Sequence, residues 1–284
     1  MRQLTGTLKK KINKKEVMNM SLEVKIADSE EEKRMAYRNR YEVFVEDMGI
    51  ANENDERLLY DEYDSLETTK IYVALNEGRC IASIRTMEPN KEMAEKKGTE
   101  FGLPYEEVFD LSQLNGKFSP FAEISRTTNN GENASAIINV LALCFQYLKN
   151  KGFVYPLGRI GLDIDDDVDT EIAYQLVKKK GYMYGGIELV PRKPEVREGK
   201  IEASFYDKTG LLDDRGNVII EKLDPKKMEL PGSLSFYLRF GIKAIGKPIY
   251  HKKFNRYALP VVVPSNEFVE PYKTMFFEKY GKRS

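Results

Sequence analysis

The residues best spaced for chemistry lie between positions 120 and 147. There an alternating stretch ends in Glu123-Ile-Ser125-Arg126 and runs through Thr127, Thr128, Asn129 and Gly131 into an amphipathic helical pattern. A strand that turns through Asn and Gly into a helix start aims free main-chain N–H groups and the positive end of a dipole at one point. That arrangement suits an anion or a polarised carbonyl. Arg126, five residues before Gly131, extends the idea to a pyrophosphate, although an ordinary strand-to-helix turn fits the same residues. Elsewhere the candidates are weaker. Asp163, Asp165, Asp167 and Asp169 alternate like the first half of a calcium loop, but Val168 stands where the sharp turn wants glycine and Tyr174 where the closing glutamate belongs. Gly158 and Gly161 do not complete a dinucleotide fingerprint, and no phosphate-loop lysine motif occurs. With His251 the single histidine, a histidine metal centre or a Ser-His-Asp triad is not expected.

These residues need elements to hold them. Leu22–Ala27 alternates as a half-buried strand does, and Ser29 with Glu32 forms a capping box before a helix that carries Tyr37, Tyr41, Phe44, Val45 and Met48 on one face and ends at Gly49. Thr69 to Glu88 reads as a hairpin turning at Asn76-Glu-Gly78, and residues 89–117 as a polar, partly helical connection. The helix after Gly131 closes on Lys149, Lys151 and Gly152. Beyond it, the pattern predicts a strand in Val154–Ile164, a helix from Thr170 to Lys180, a hairpin over Ile201–Leu223, a short helix from Leu234 to Phe240, a strand over Ala258–Val263 and a last helix, Asn266–Lys279. Strands and helices in this order predict a mixed α/β fold with a central sheet.

Composition narrows the partners. At 284 residues and 41% hydrophobic content the chain can bury one large core. Its 45 basic and 45 acidic residues leave no net field to argue for nucleic acid or membrane. Cys80 and Cys144, both in apolar segments, form no disulfide framework, and no apolar run approaches a membrane span, so a soluble, cytoplasmic protein is expected. Residues 1–20 read as a basic flexible arm; a nucleic-acid role for its Lys9–Lys15 cluster is a minor alternative. Residues 21–284 read as a single domain.

Four short motifs add a resemblance. Arg40-Tyr-Glu-Val-Phe44-Val-Glu-Asp-Met-Gly49, Asp61-Glu-Tyr-Asp64, Ser83-Ile-Arg85 and Glu123-Ile-Ser-Arg126 come in the order and spacing of acyl-homoserine lactone (autoinducer) synthases and the related N-acyl amino acid synthases, members of the GNAT acyltransferase superfamily. The stretch from Leu230-Pro-Gly-Ser233 to Tyr250, with Phe254 and Val261-Val-Val263, is similar to the N-acyl amino acid synthase branch. The resemblance implies a GNAT-like fold, a mostly antiparallel mixed sheet flanked by helices, with residues 160–228 as an insertion. It also implies transfer of an acyl group from acyl carrier protein or CoA, as substrate rather than tightly bound cofactor, to the amine of an amino acid or related small molecule, with no metal.

By that resemblance Glu123 is the candidate base, the main chain at Ser125–Thr127 the oxyanion donor, and Tyr237 the acid at the leaving thiolate. Arg126, Thr127, Thr128, Asn129 and Gly131 would face the donor, while Arg40, Phe44, Asp61, Asp64 and Arg85 would form a polar network shaping the pocket. Ile50 stands where autoinducer synthases carry tryptophan, which argues against homoserine lactone chemistry, and Asn129 stands at the first glycine of the donor loop, so acyl-CoA and acyl carrier protein both stay open as donors. A short-acyl, CoA-dependent N-acetyltransferase and a non-catalytic binder of acyl carriers or lipid are the alternatives.

Overall fold

The computed structural model describes residues 22–278 apart from 115, 117, 165, 194, 196 and 198–203. The expected basic arm, Asp165, the start of the hairpin at Ile201 and the end of the last helix at Lys279 lie outside the described residues.

Strand β1, Glu23–Ile26, leads through Ser29 into α1, Glu30–Tyr41, and the capping box forms as expected, with Ser29 Oγ accepting from Glu32 N at 3.2 Å and the Glu32 carboxylate accepting from Ser29 N at 3.3 Å. The helix continues as a π-helical turn, Glu42–Asp47. That turn changes the expected face: Val43 and Val45 go inward, Phe44 turns to line a cavity, and Met48 is exposed, because the wider turn rotates the side chains out of the 3.6-residue period.

The hairpin is β2, Thr69–Asn76, and β3, Arg79–Met87, joined at Glu77 and Gly78, both in the left-handed region. Both of its faces are buried, which simple alternation did not foretell. Ile71 and Val73 pack under α1, and Tyr72, Ala74 and Ile84 pack with the main core. The connection that follows contains α2, Lys91–Lys97, and two short 3-10 turns. It is less polar than expected, since Met93, Leu103, Tyr105, Phe109, Leu111 and Leu114 form a second core with Phe121 and Leu157.

Next come β4, Glu123–Asn129, and α3, Ala134–Asn150, whose start is capped by Asn133 Oδ1 accepting from Ser135 N at 2.9 Å. Then follow β5, Leu157–Gly161, α4, Asp167–Lys179, α5, Gly232–Leu238, β6, Lys243–Ala244, β7, Ile249–His251, β8, Arg256–Val262, and α6, Tyr272–Phe277. Between α4 and α5 the expected hairpin reduces to one bridge, Leu212 with Val218, around a turn tied by Asp213 and Asn217. The last helix starts later than expected, after Pro271, which has no N–H to extend it upstream.

The sheet runs β1-β2-β3-β4-β5-β8-β6, with β7 also on β8. Every pairing is antiparallel except β4 with β5, and helices cover both sides, so the sheet is mixed, mostly antiparallel and flanked by helices, as the motifs imply. α3 lies on the face holding the main core, where Ile137, Val140, Leu141 and Phe145 are buried.

Candidate active site

The parallel pair β4 and β5 is where the sheet opens. Their ladder consists of Glu123 with Leu157 and Ile124 with Gly158 only. Gly158 permits that contact, since a Cβ there would stand 3.3 Å from the Ile124 carbonyl oxygen. From Ser125 onward β4 has no strand on its β5 side among the described residues, while β5 continues against β8. On its other side β4 carries a bulge: Arg126 and Thr127 together oppose Ile84, and Arg126 takes a left-handed φ of 54°. Pairing, bulge and missing partner leave main-chain groups of Ser125–Asn129 along an open edge.

A cavity of about 810 Å³ occupies the gap. Its wall differs between the two faces of the sheet. On the face of Glu123 it is polar, with Asp61, Tyr63, Arg85, Lys97 and Arg159. On the α3 face it is apolar, with Ile137, Leu141, Phe145, Phe236 and Val261. Strand register accounts for the separation, because Glu123, Leu157 and Arg159 share one face, and Ile124, Ile160 and Val261 share the other.

Glu123 is 1% exposed, and its Oε2 accepts from Tyr105 N at 2.7 Å. The nearest guanidinium is that of Arg159, whose Nη2 lies 3.8 Å from Oε1. Burial raises the Glu123 pKa above the ordinary carboxylate range, and Arg159 and Arg85 offset this only in part. A carboxylate held this way is a better proton acceptor near neutral pH than an exposed one.

Arg40, Asp61, Asp64 and Arg85 come together in one ion-pair network. Arg40 Nη1 meets Asp64 Oδ1 at 2.7 Å, and Arg85 Nη1 lies 2.5 Å from Asp61 Oδ1 and 3.1 Å from Asp64 Oδ2. Arg85 Nε donates to Ser125 Oγ at 3.1 Å, which fixes the Ser125 hydroxyl. Burial alone would raise the Asp61 pKa, but the Arg85 and Arg126 guanidiniums outweigh it and hold that carboxyl well below its usual range. Asp61, Arg85 and Phe44 line the cavity, whereas Arg40 and Asp64 sit behind it.

The residues expected to face the donor divide. Arg126 donates through Nη2 to Asp61 Oδ2 at 2.7 Å and stacks 5.1 Å from the Phe254 ring centre. The Thr128 side chain is buried, bonded to Asn39 Oδ1 at 2.6 Å and Ser83 Oγ at 2.7 Å. The Gly131 N–H donates to Asn129 Oδ1 at 3.2 Å. Arg126, Thr127, Thr128 and Asn129 still line the cavity along β4. Tyr237 reaches it from α5, and burial pushes its phenol up to about 12, so the hydroxyl keeps its proton. Ser233 Oγ, on the same helix, donates to the Gly161 carbonyl at 2.8 Å and ties α5 to the open end of β5.

The aspartates after β5 do other work. Asp163 pairs with Arg256 at 3.0 Å, Asp167 accepts from the Tyr257 hydroxyl, and buried Asp169 meets Lys208 at 3.1 Å. No group of three or more His, Cys, Asp or Glu side chains fit for a metal occurs among the described residues. Nor is any described helix long and apolar enough to cross a membrane. Arg159, Tyr63, Lys97 and Phe236 are site residues that sequence reading missed. Arg159 did carry a signal, an arginine inside an otherwise apolar strand segment.

Residues 35–160 match the family model described as N-acyl amino acid synthase FeeM. Among solved structures the chain is similar to FeeM, an N-acyl amino acid synthase from uncultured soil microbes, at 10% identity over 89% of this chain and 94% of that one, with a TM-score of 0.48. It is similar to the AHL synthase LasI at 10% identity over 85% and 89% of the two chains, TM-score 0.42. For BjaI, a CoA-dependent acyl-homoserine lactone synthase, the figures are 12%, 81% and 75%, and 0.39. A search of curated protein sequences finds no match. The motifs from Arg40 to Arg126 fall inside the matched segment, which is similar to the N-acyl amino acid synthase family.

Proposed function

We propose that the protein transfers a medium or long acyl group from an acyl carrier protein or CoA thioester to the amine of an amino acid or related small molecule. The observation that carries this reading is the cavity that passes between β4 and β5 and joins an apolar wall on the α3 face to a polar wall containing Glu123. The acyl chain lies among Ile137, Leu141 and Phe145, its carrier arm runs along Arg126–Asn129, and the amine enters from the polar side. Glu123 takes a proton as the amine attacks the thioester carbonyl. Main-chain N–H groups at Ser125–Thr127 hold the oxyanion as the C–N bond forms. The C–S bond then breaks, and Tyr237 protonates the leaving thiolate. Two buried free thiols, Cys80 and Cys144, fit a reducing, cytoplasmic setting.

The test is mass spectrometry of lipid extracts from cells overproducing the protein or its Glu123→Gln variant. The reading expects N-acyl amino acids with the wild type only. Identical extracts from both would count against it, and products limited to acetylated amines would replace it with short-acyl transfer.

A further inference from the structure

On the polar wall, one cation is under-used. Arg40, Arg85 and Arg126 each meet a carboxylate at hydrogen-bond distance. Arg159 does not, because among the described residues its only carboxylate contact is the 3.8 Å approach to Glu123 and its buried Nη1 has no hydrogen-bond partner. The guanidinium stacks 5.6 Å from the Tyr105 ring centre, which orients it without neutralising it. It lines the cavity and stays partly exposed, with 17% of its side-chain surface open.

Resting on the acyl-transfer reading, the geometry points to Arg159 as the specificity-determining residue for the acceptor, taking the α-carboxylate of a free amino acid whose ammonium faces Glu123. Glu123 and Arg159 form a plus and minus pair a few ångströms apart, and a zwitterionic amino acid carries the opposite pair at a matching separation. Bound head to tail, all four charges are compensated inside a cleft where an unmatched charge would be costly. A simple amine leaves Arg159 unmatched, and an acid without an amine leaves Glu123 unmatched. The same placement readies the chemistry. One ammonium proton passes to Glu123 and on to solvent, the nitrogen lone pair forms the C–N bond as C–S breaks, and the second proton, lost as the amide nitrogen returns to neutrality, replaces the one Tyr237 gives to the leaving thiolate, giving one thiol per amide.

The experiment uses purified full-length protein, a long-chain acyl thioester, and acceptors offered in pairs with and without the carboxylate: leucine against isoamylamine, and phenylalanine against phenethylamine. Loss of a charge-assisted contact predicts a KM roughly 10- to 100-fold lower for the amino acid of the better pair than for its amine. Arg159→Gln should raise the amino-acid KM to near that of the amine and leave the amine KM and the thioester KM within a few-fold. Arg159→Lys should restore part of the preference. Equal KM values for both members of every pair in the wild type would overturn the assignment with no variant needed. So would an Arg159→Gln protein whose KM values for amino acid and amine move together, or one in which only the pH profile moves, since Arg159 would then act only on Glu123. No thiol release with any acceptor would instead reject the acyl-transfer reading itself, so the two failures are distinguishable.

Discussion

The two faces of the cavity are built by different rules. The apolar face is a wall of core side chains, Ile137, Leu141, Phe145 and Val261, each also packed in the main core, so its shape is set by the same close packing that stabilises the sheet. The polar face is a chain of compensated charges from Arg40 through Asp64, Arg85 and Asp61 to Arg126, with Ser125 attached. A charge network of this kind tolerates no missing member, whereas an apolar wall accepts changes of volume. Substitutions on the polar face should therefore alter chemistry or fold outright, and those on the apolar face should alter which donor is used.

The largest expected effect is that of Glu123→Gln. Loss of a general base predicts kcat lower by roughly 10²- to 10⁴-fold, with melting temperature preserved, because the buried site already disfavours the charge. A large fall in melting temperature with unchanged kcat would make Glu123 structural. Next comes Arg85→Met, which removes one of the two guanidinium partners of both Asp61 and Asp64 from a buried network and should cost about 3–5 kcal/mol in urea unfolding. On the other face, Leu141→Phe should cost only about 1–3 kcal/mol. Its signature is selective: rates with long-chain thioesters fall while those with short-chain thioesters and the acceptor KM hold. A uniform loss across chain lengths would erase the proposed division of labour between the faces.

The pH dependence sharpens the contrast further. With Glu123 as the proposed base, kcat/KM should fall with decreasing pH through a pKa above the ordinary glutamate range of about 4.3. The signs for stability are opposite at the two carboxylates. Glu123, raised, contributes fully below that ordinary range and loses its contribution as pH rises through its folded pKa. Asp61, depressed, contributes above about 3.9 and loses its contribution as pH falls through its folded pKa. The smallest effect belongs to the rim. Lys97, paired with Glu62 and Glu107, should cost less than about 1 kcal/mol as Lys97→Met in a thermal melt.

What could be read in the sequence was largely local. Ser29 with Glu32 announced α1, Asn76-Glu-Gly78 the hairpin, and Asn and Gly after β4 the start of α3, because caps and turns depend on neighbours a few residues apart. The motif residues Arg40, Asp61, Asp64 and Arg85 do form one network. Hidden from that reading were features that depend on distant partners. The π-helical turn after Tyr41 rotates Phe44 into the cavity, and Tyr105 in a polar-looking connection supplies an N–H to Glu123 from 18 residues away. The partner of Glu123 is Arg159 because β4 and β5 pair in parallel for two rungs and then part, which no periodicity encodes. Likewise Arg126 turns to Asp61, 65 residues distant, rather than to the adjacent glycine turn.

The central claim is acyl transfer to an amine at the open edge of β4, and thiol release measured together with amide formation tests it most directly. Given a long-chain acyl thioester and an amino acid, the wild-type protein is predicted to yield one free thiol per N-acyl amino acid, and Glu123→Gln at least about 100-fold less of both per unit time. Thiol release without amide, or equal rates from the two proteins, would contradict it.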